Sequence, residues 1–243
     1  MIKVVVNPQF ESLNSFAKYI SVNFPFQGEP FYIDRNELKC YKVDDYNLIV
    51  KRYRKPHFIN RIIYTFWRPS KAKRAYKFAL KLLSLGLNSP APIAYIEQYK
   101  FKLLTYGYFI SIFENEFTNI RDLMDGTQVD DLLLNELAIY IAKLHDKGVL
   151  HLDLSPGNVM YKKTTDGVQF TLIDINRMQF FESISKENRF KNFKRITENT
   201  TVLKKLAAYY SQAANYNETE CVDKIVKYST QFFIARNRKY NEV

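Results

Sequence analysis

Short apolar runs separated by polar turns fill the first half of the chain, and longer runs of helical period fill the second. Residues 8–22 fit a leading helix. Phe31–Ile33, Leu38–Val43 and Leu48–Val50 read as three short strands, with Asp44-Asp45 as the turn before the third. A helix follows, started by Pro69-Ser70 and stopped by Gly86. Within it Ala72, Ala75, Tyr76, Ala79, Leu80 and Leu83 recur at helical spacing and form one face, while Lys73, Lys77 and Lys81 line another. Ile93–Ile96 and Tyr106–Phe113 read as two further strands.

A long helix over about 130–147 opens the second half. Leu134, Leu137, Ala138, Ile141, Leu144 and His145 share its apolar face, and Gly148 ends it. His145 on that face reads as a core histidine rather than a ligand. After a loop at 150–157, Val159–Tyr161 and Phe170–Ile173 form a hairpin around Thr164-Thr165-Asp166-Gly167. Residues 187–238 are helical by composition and period. The pattern predicts an α+β, bilobal fold, with a small β-rich N-lobe at about 1–113 and a mainly helical C-lobe at about 117–243. No repeat or Pro/Gly linker interrupts the chain, so 1–243 reads as a single domain.

Composition narrows the functional classes. Hydrophobic residues make up 47%, enough for a sizeable core. No apolar run has the length of a membrane span, and MIKVVVNPQFESLN lacks the apolar stretch of a secretory signal, so a cytoplasmic protein is expected. Cys40 and Cys221 are expected as free thiols, and three histidines exclude a His-rich metal site. The net charge is +11 and its distribution is uneven. Between Asp45 and Glu97 there is no carboxylate, while Lys51, Arg52, Arg54, Lys55, Arg61 and Arg68 lead eleven cations. Such a surface suits an anionic partner. The 18 Tyr and 19 Phe are spread throughout the chain and read as core, which argues against a base-stacking nucleic-acid platform.

The chemistry concentrates in His151-Leu152-Asp153-Leu154-Ser155-Pro156-Gly157-Asn158 and, shortly after, Leu172-Ile173-Asp174-Ile175-Asn176-Arg177. Phosphoryl transfer from ATP needs a carboxylate to orient the attacking hydroxyl and take its proton. It also needs oxygen ligands for Mg2+, which bridges the phosphates. Asp153 suits the first task, and Asn158 with Asp174 the second. This arrangement resembles the H-x-D-x-x-x-x-N catalytic loop and metal-binding Asp of the protein-kinase-like superfamily. The resemblance implies a structural role for His151. It also implies that Lys51, after Leu48-Ile49-Val50, grips the α- and β-phosphates of ATP, with Arg52 on the opposite face of the strand. Two features depart from the superfamily. Asp34-Arg35-Asn36-Glu37 carries no glycine where a glycine-rich loop belongs, and the helix at 71–84 carries no acid to pair with Lys51. Either another group, such as Asp174, then holds Lys51, or the first lobe aligns differently with the superfamily.

Further features extend the resemblance to the lipopolysaccharide kinase family of Kdo and heptose kinases. These are Ser70-Lys71-Ala72-Lys73-Arg74-Ala75 before Leu82-Leu83-Ser84-Leu85-Gly86, then Pro90 and Pro92, Asp174-Ile175-Asn176-Arg177-Met178 and Lys191-Asn192-Phe193-Lys194-Arg195. That resemblance implies a lipid-linked sugar acceptor, inner-core lipopolysaccharide or a related glycolipid, met at the cytoplasmic membrane face. Phe58 to Arg68 mixes aromatics, aliphatics and arginines, and either rests on an anionic membrane surface or packs on the first lobe. Two alternatives stand beside this reading. One is a RIO-like protein kinase or an aminoglycoside-type kinase. The other is a pseudokinase or basic binding module.

Overall fold

The structure, a computed structural model, describes residues 1–34, 36–128 and 130–241, with side chains as far as Arg238. The chain divides into two compact units, Met1–Asn115 with Asp174–Asn176, and Glu116–Ile173 with Arg177–Val243.

In the first unit, β1 (Ile2–Val6), β2 (Glu29–Ile33), β3 (Glu37–Val43), β4 (Tyr46–Tyr53), β5 (Pro92–Lys100) and β6 (Leu103–Ile112) form one antiparallel sheet, in the order β1-β5-β6-β4-β3-β2. Side chains alternate across it, and each face takes a helix. On one face Leu13, Ala17, Ile20 and Phe24, in and around α1 (Asn14–Asn23), pack on Leu48, Val50, Ala94, Ile96, Tyr108 and Ile110. Burial of each large apolar side chain there stabilises the fold by about 1.5–3 kcal/mol. On the other face lies α3 (Lys71–Ser84), capped by Ser70 Oγ, which accepts from Lys73 N at 3.1 Å. Its contact is tight because it is built from small residues: a Cβ on Gly107 would stand 3.1 Å from that of Ala72.

The apolar face of α3 is rotated from the one the spacing predicts. Leu80 and Leu83 are 38% and 41% exposed, whereas Leu82 is fully buried beside Ala75 and Ala79. The close approach through the alanines seats the helix on residues 72, 75, 79 and 82 and leaves the two longer leucines at the margin. Two elements escape the sequence pattern. β1 pairs with β5 along its whole length, from Ile2 opposite Gln98 to Val6 opposite Ala94. Residues Phe58–Phe66 form a helix, α2, that buries none of its residues. The turn between β2 and β3 contains Arg35, which lies outside the described residues.

The second unit begins with β7 (Thr118–Asn119) and α4 (Arg121–Asp125). The long α5 (Asp131–Asp146) follows, with Asp130 Oδ1 accepting from Leu133 N at 2.9 Å as its cap. β8 (Val149–His151) pairs with β11 (Met178–Phe180), and β9 (Val159–Thr164) with β10 (Gly167–Leu172) makes the expected hairpin, extended by β7. α6 (Lys186–Asn192), α7 (Thr200–Ala213) and α8 (Glu218–Asn241) complete the unit. Gly148, with φ 72°, ends α5 where no other residue fits, since a Cβ would stand 1.9 Å from Phe181 O.

The core of this unit centres on His145. Every residue expected on the α5 apolar face is buried, and His145 is 1% exposed. Its Nδ1 lies 2.7 Å from Tyr210 Oη and its Nε2 3.1 Å from Asn192 Oδ1. Burial lowers its pKa from 6.5 to about 4, so the ring is neutral in the folded protein at neutral pH. Unfolding releases a ring that binds a proton more readily. The stability from this group is therefore complete above pH 6.5 and is lost as pH falls towards 4. Chemical denaturation should show on the order of 3 kcal/mol lost across that window. The His145→Gln variant should show a flatter profile, and an equal slope in both proteins would contradict the assignment.

Candidate active site

Lys51 and Asp174 meet within the first unit. Strand alternation sends Lys51 to the α3 face of the sheet, opposite Phe109 on β6 and two residues before the buried Tyr53. Its Nζ lies 5.4 Å from the centre of the Tyr53 ring and 2.7 Å from Asp174 Oδ1. Asn176 Nδ2 donates to the same oxygen at 2.6 Å. Asp174 has φ 52°, a left-handed conformation that aspartate tolerates better than most side chains and that turns the chain directly after β10. The pair is half-buried, so the ammonium is held by the carboxylate at a short, charge-assisted distance. The helix that offers no acid instead presents Arg74. That residue is buried, with its Nε unpaired and its guanidinium near Tyr64 and Tyr53. Desolvation, with the neighbouring Arg68, lowers its pKa. Arg52, one residue from Lys51, points to the other face and pairs with Glu37 at 2.5 Å.

The loop carrying Asp153 is held together within the second unit. Asp153 N donates to His151 Nδ1 at 3.1 Å, which puts the ring proton on Nε2, 3.1 Å from Ile173 O. Asn192 Nδ2 donates to His151 O at 2.9 Å. The buried His151 thus ties the loop to the end of β10 and to α6. Asn158 Nδ2 donates to Asp153 O at 2.9 Å, and Ile173 N to Asn158 O at 3.0 Å.

Asn158 is therefore fixed beside the backbone of Asp153, and its Oδ1 is not used in that bond. Asp174 directly follows Ile173 in the chain. Among the described residues no group of three or more His, Cys, Asp and Glu is placed to hold a metal. Asn158 and Asp174 offer hard oxygen donors instead. Each, in its own unit, is the kind of donor Mg2+ takes, since that ion binds through one or two protein oxygens and completes its octahedron with phosphate and water.

One contact to Asp153 was not legible in the sequence. Arg195 Nη1 donates to Asp153 Oδ1 at 2.9 Å, and Arg177 Nη1 lies 3.8 Å from Oδ2. Arg195 is itself stacked on Phe232, 4.6 Å from the ring centre. A basic run at Lys191–Arg195 was its only signal. Removing this clamp with Arg195→Met should let the carboxylate leave its aligned position. Turnover should fall about tenfold to a hundredfold while Mg-ATP affinity stays unchanged. Lost nucleotide binding, measured by calorimetry, would contradict a positioning role.

Comparisons with known proteins bear on the fold and the family. A solved structure of WaaP in complex with acyl carrier protein superposes with a TM-score of 0.61 over 99% of this chain and 98% of that one, at 14% identity. It shows the α+β kinase-like fold. Among curated proteins, a 3-deoxy-D-manno-octulosonic acid kinase of Actinobacillus succinogenes is 27% identical over 49% of this chain and 50% of its own length. The EKC/KEOPS complex subunit BUD32 of Encephalitozoon cuniculi is 25% identical over 64% of this chain and 70% of its own. The model of the lipopolysaccharide kinase (Kdo/WaaP) family matches residues 38–219, a span that contains Lys51, Asp153, Asn158 and Asp174. With that match over most of its length, the chain belongs to the lipopolysaccharide kinase (Kdo/WaaP) family and is an ATP-dependent kinase.

Proposed function

We propose that this kinase transfers the γ-phosphate of Mg-ATP to a sugar hydroxyl of the lipopolysaccharide inner core or a related glycolipid. Its place of work is the inner face of the cytoplasmic membrane. In this reading the two units are the lobes of one kinase domain. The observation that carries the chemistry is the Lys51–Asp174 pair in the first unit, taken with the tied Asp153–Asn158 loop in the second. Lys51 holds the α- and β-phosphates, and its bond to Asp174 aims the ammonium. Asp153, kept in one orientation by Arg195, aligns the acceptor hydroxyl and takes its proton as transfer proceeds. Asn158 and Asp174 would hold Mg2+, which supplies charge neutralisation at the phosphates when bound.

The acceptor reading is supported by the family and by the similarity to the 3-deoxy-D-manno-octulosonic acid kinase of Actinobacillus. Incubation of Mg-ATP with inner-core glycolipid, its deacylated oligosaccharide, an aminoglycoside and a protein acceptor tests it. The reading expects a sugar phosphomonoester on the first two, identified by mass spectrometry. Phosphate on protein or aminoglycoside alone would replace the glycolipid acceptor with the RIO-like or aminoglycoside-type one.

A further inference from the structure

α2 is built inside out. Two of its polar residues face the protein: Arg61 Nε donates to Leu104 O at 2.8 Å, and Leu104 N donates to Thr65 Oγ1 at 3.1 Å. Ile62, Ile63 and Tyr64 are half-buried, but the apolar residues at both ends of the helix face outward. Phe58, Ile59, Phe66 and the following Trp67 are 63%, 72%, 65% and 75% exposed. A helix that only covered a core would show the reverse pattern. A second apolar tip stands beside it. Phe101, 86% exposed, sits at the turn between β5 and β6 with Lys100 and Lys102 on either side. Arg61 Nη2 ties this turn to α2 through Lys100 O at 3.5 Å. Exposed Arg54 and Lys55 precede the helix, and exposed Arg68 follows it. The whole stretch from Tyr46 to Ile96 is free of carboxylates.

We propose that α2 and the Phe101 turn form a membrane-docking face, which inserts its aromatic and aliphatic side chains between the headgroups of an anionic bilayer. Aromatic tips rimmed by cations suit that interface, where rings settle at headgroup level and lysine and arginine meet acidic phosphates. No helix among the described residues is long and apolar enough to cross a membrane, so the attachment is peripheral. The proposal deepens the glycolipid reading by naming how the kinase reaches a lipid-borne acceptor, but vesicle binding is measured without turnover and stands or falls separately.

Trp67 is the single tryptophan of the chain and reports directly on the face. With vesicles of phosphatidylglycerol and phosphatidylethanolamine its emission should shift to the blue and be quenched by brominated lipid. Phosphatidylcholine vesicles should give little response, and about 0.5 M salt should weaken binding several-fold. The double variant Ile59→Ser/Phe66→Ser, which keeps the reporter and changes only exposed side chains, should bind at least about tenfold more weakly. It should still bind Mg-ATP and still phosphorylate a deacylated acceptor like the wild type. An unchanged emission with anionic vesicles, or equal binding by the double variant, would overturn the proposal. Capture of an acidic carrier protein by this face in place of vesicles would overturn it too.

Discussion

Replacing Asp153 by Asn should abolish phosphoryl transfer, by about 10²–10⁴-fold in turnover, while leaving the fold and Mg-ATP binding intact. The substitution preserves shape and removes the proton acceptor. The loop does not depend on the carboxylate for its form. His151 and Asn158 hold it through the backbone N–H and C=O of Asp153, and neither bond involves the carboxylate. The Arg195 and Arg177 contacts to the side chain lose a charge partner, yet both arginines are partly exposed and reach water. A variant with wild-type turnover would remove Asp153 from the proton-accepting role.

Asp174→Ala should act earlier in the cycle, on nucleotide binding itself. The change removes the carboxylate expected to face Mg2+ and, at the same time, the 2.7 Å partner of Lys51. The ammonium then loses the group that aims it, because α3 carries no acid to take over. Loss of a group that merely supports a metal ligand costs about 10–100-fold in affinity, and Asp174 is cast as the ligand itself. Mg-ATP binding, followed by calorimetry, should therefore weaken at least a hundredfold, by about 3 kcal/mol or more. Unchanged affinity for Mg-ATP would show that neither role belongs to Asp174. Its left-handed backbone strains an Ala more than an Asp, so Asp174→Asn, which keeps local hydrogen bonding, is the companion variant.

What the sequence made legible follows physical lines. The α5 face was readable because six apolar positions recur with one period and all turn inward. The form of the Asp153 loop follows local bonds: His151 to Asp153, and Asp153 to Asn158, lie within a few residues of one another. Arg195 was not readable, because it reaches Asp153 across 42 positions and nothing in local spacing marks that contact. α2 was missed as a helix for a different reason. Its apolar residues are exposed or only half-buried, and no buried stripe marks it as a core-packing helix. β1 is an edge strand whose partner lies far along the chain, from Ile2 opposite Gln98 to Val6 opposite Ala94, and Val4–Val6 show no polar alternation to betray it. In α3 the period was right and Ala72, Ala75, Tyr76 and Ala79 are buried as read, but Leu80 and Leu83 fall at the margin and Leu82 takes their place, with Ala72 seated close against Gly107.

The most direct test is transfer of labelled γ-phosphate from Mg-ATP to extracted lipopolysaccharide or core glycolipid, with Asp153→Asn run alongside. The account predicts label on the acceptor sugar with the wild type and none with the variant. Bound nucleotide with no label on the glycolipid, or label that persists in the variant, would contradict it.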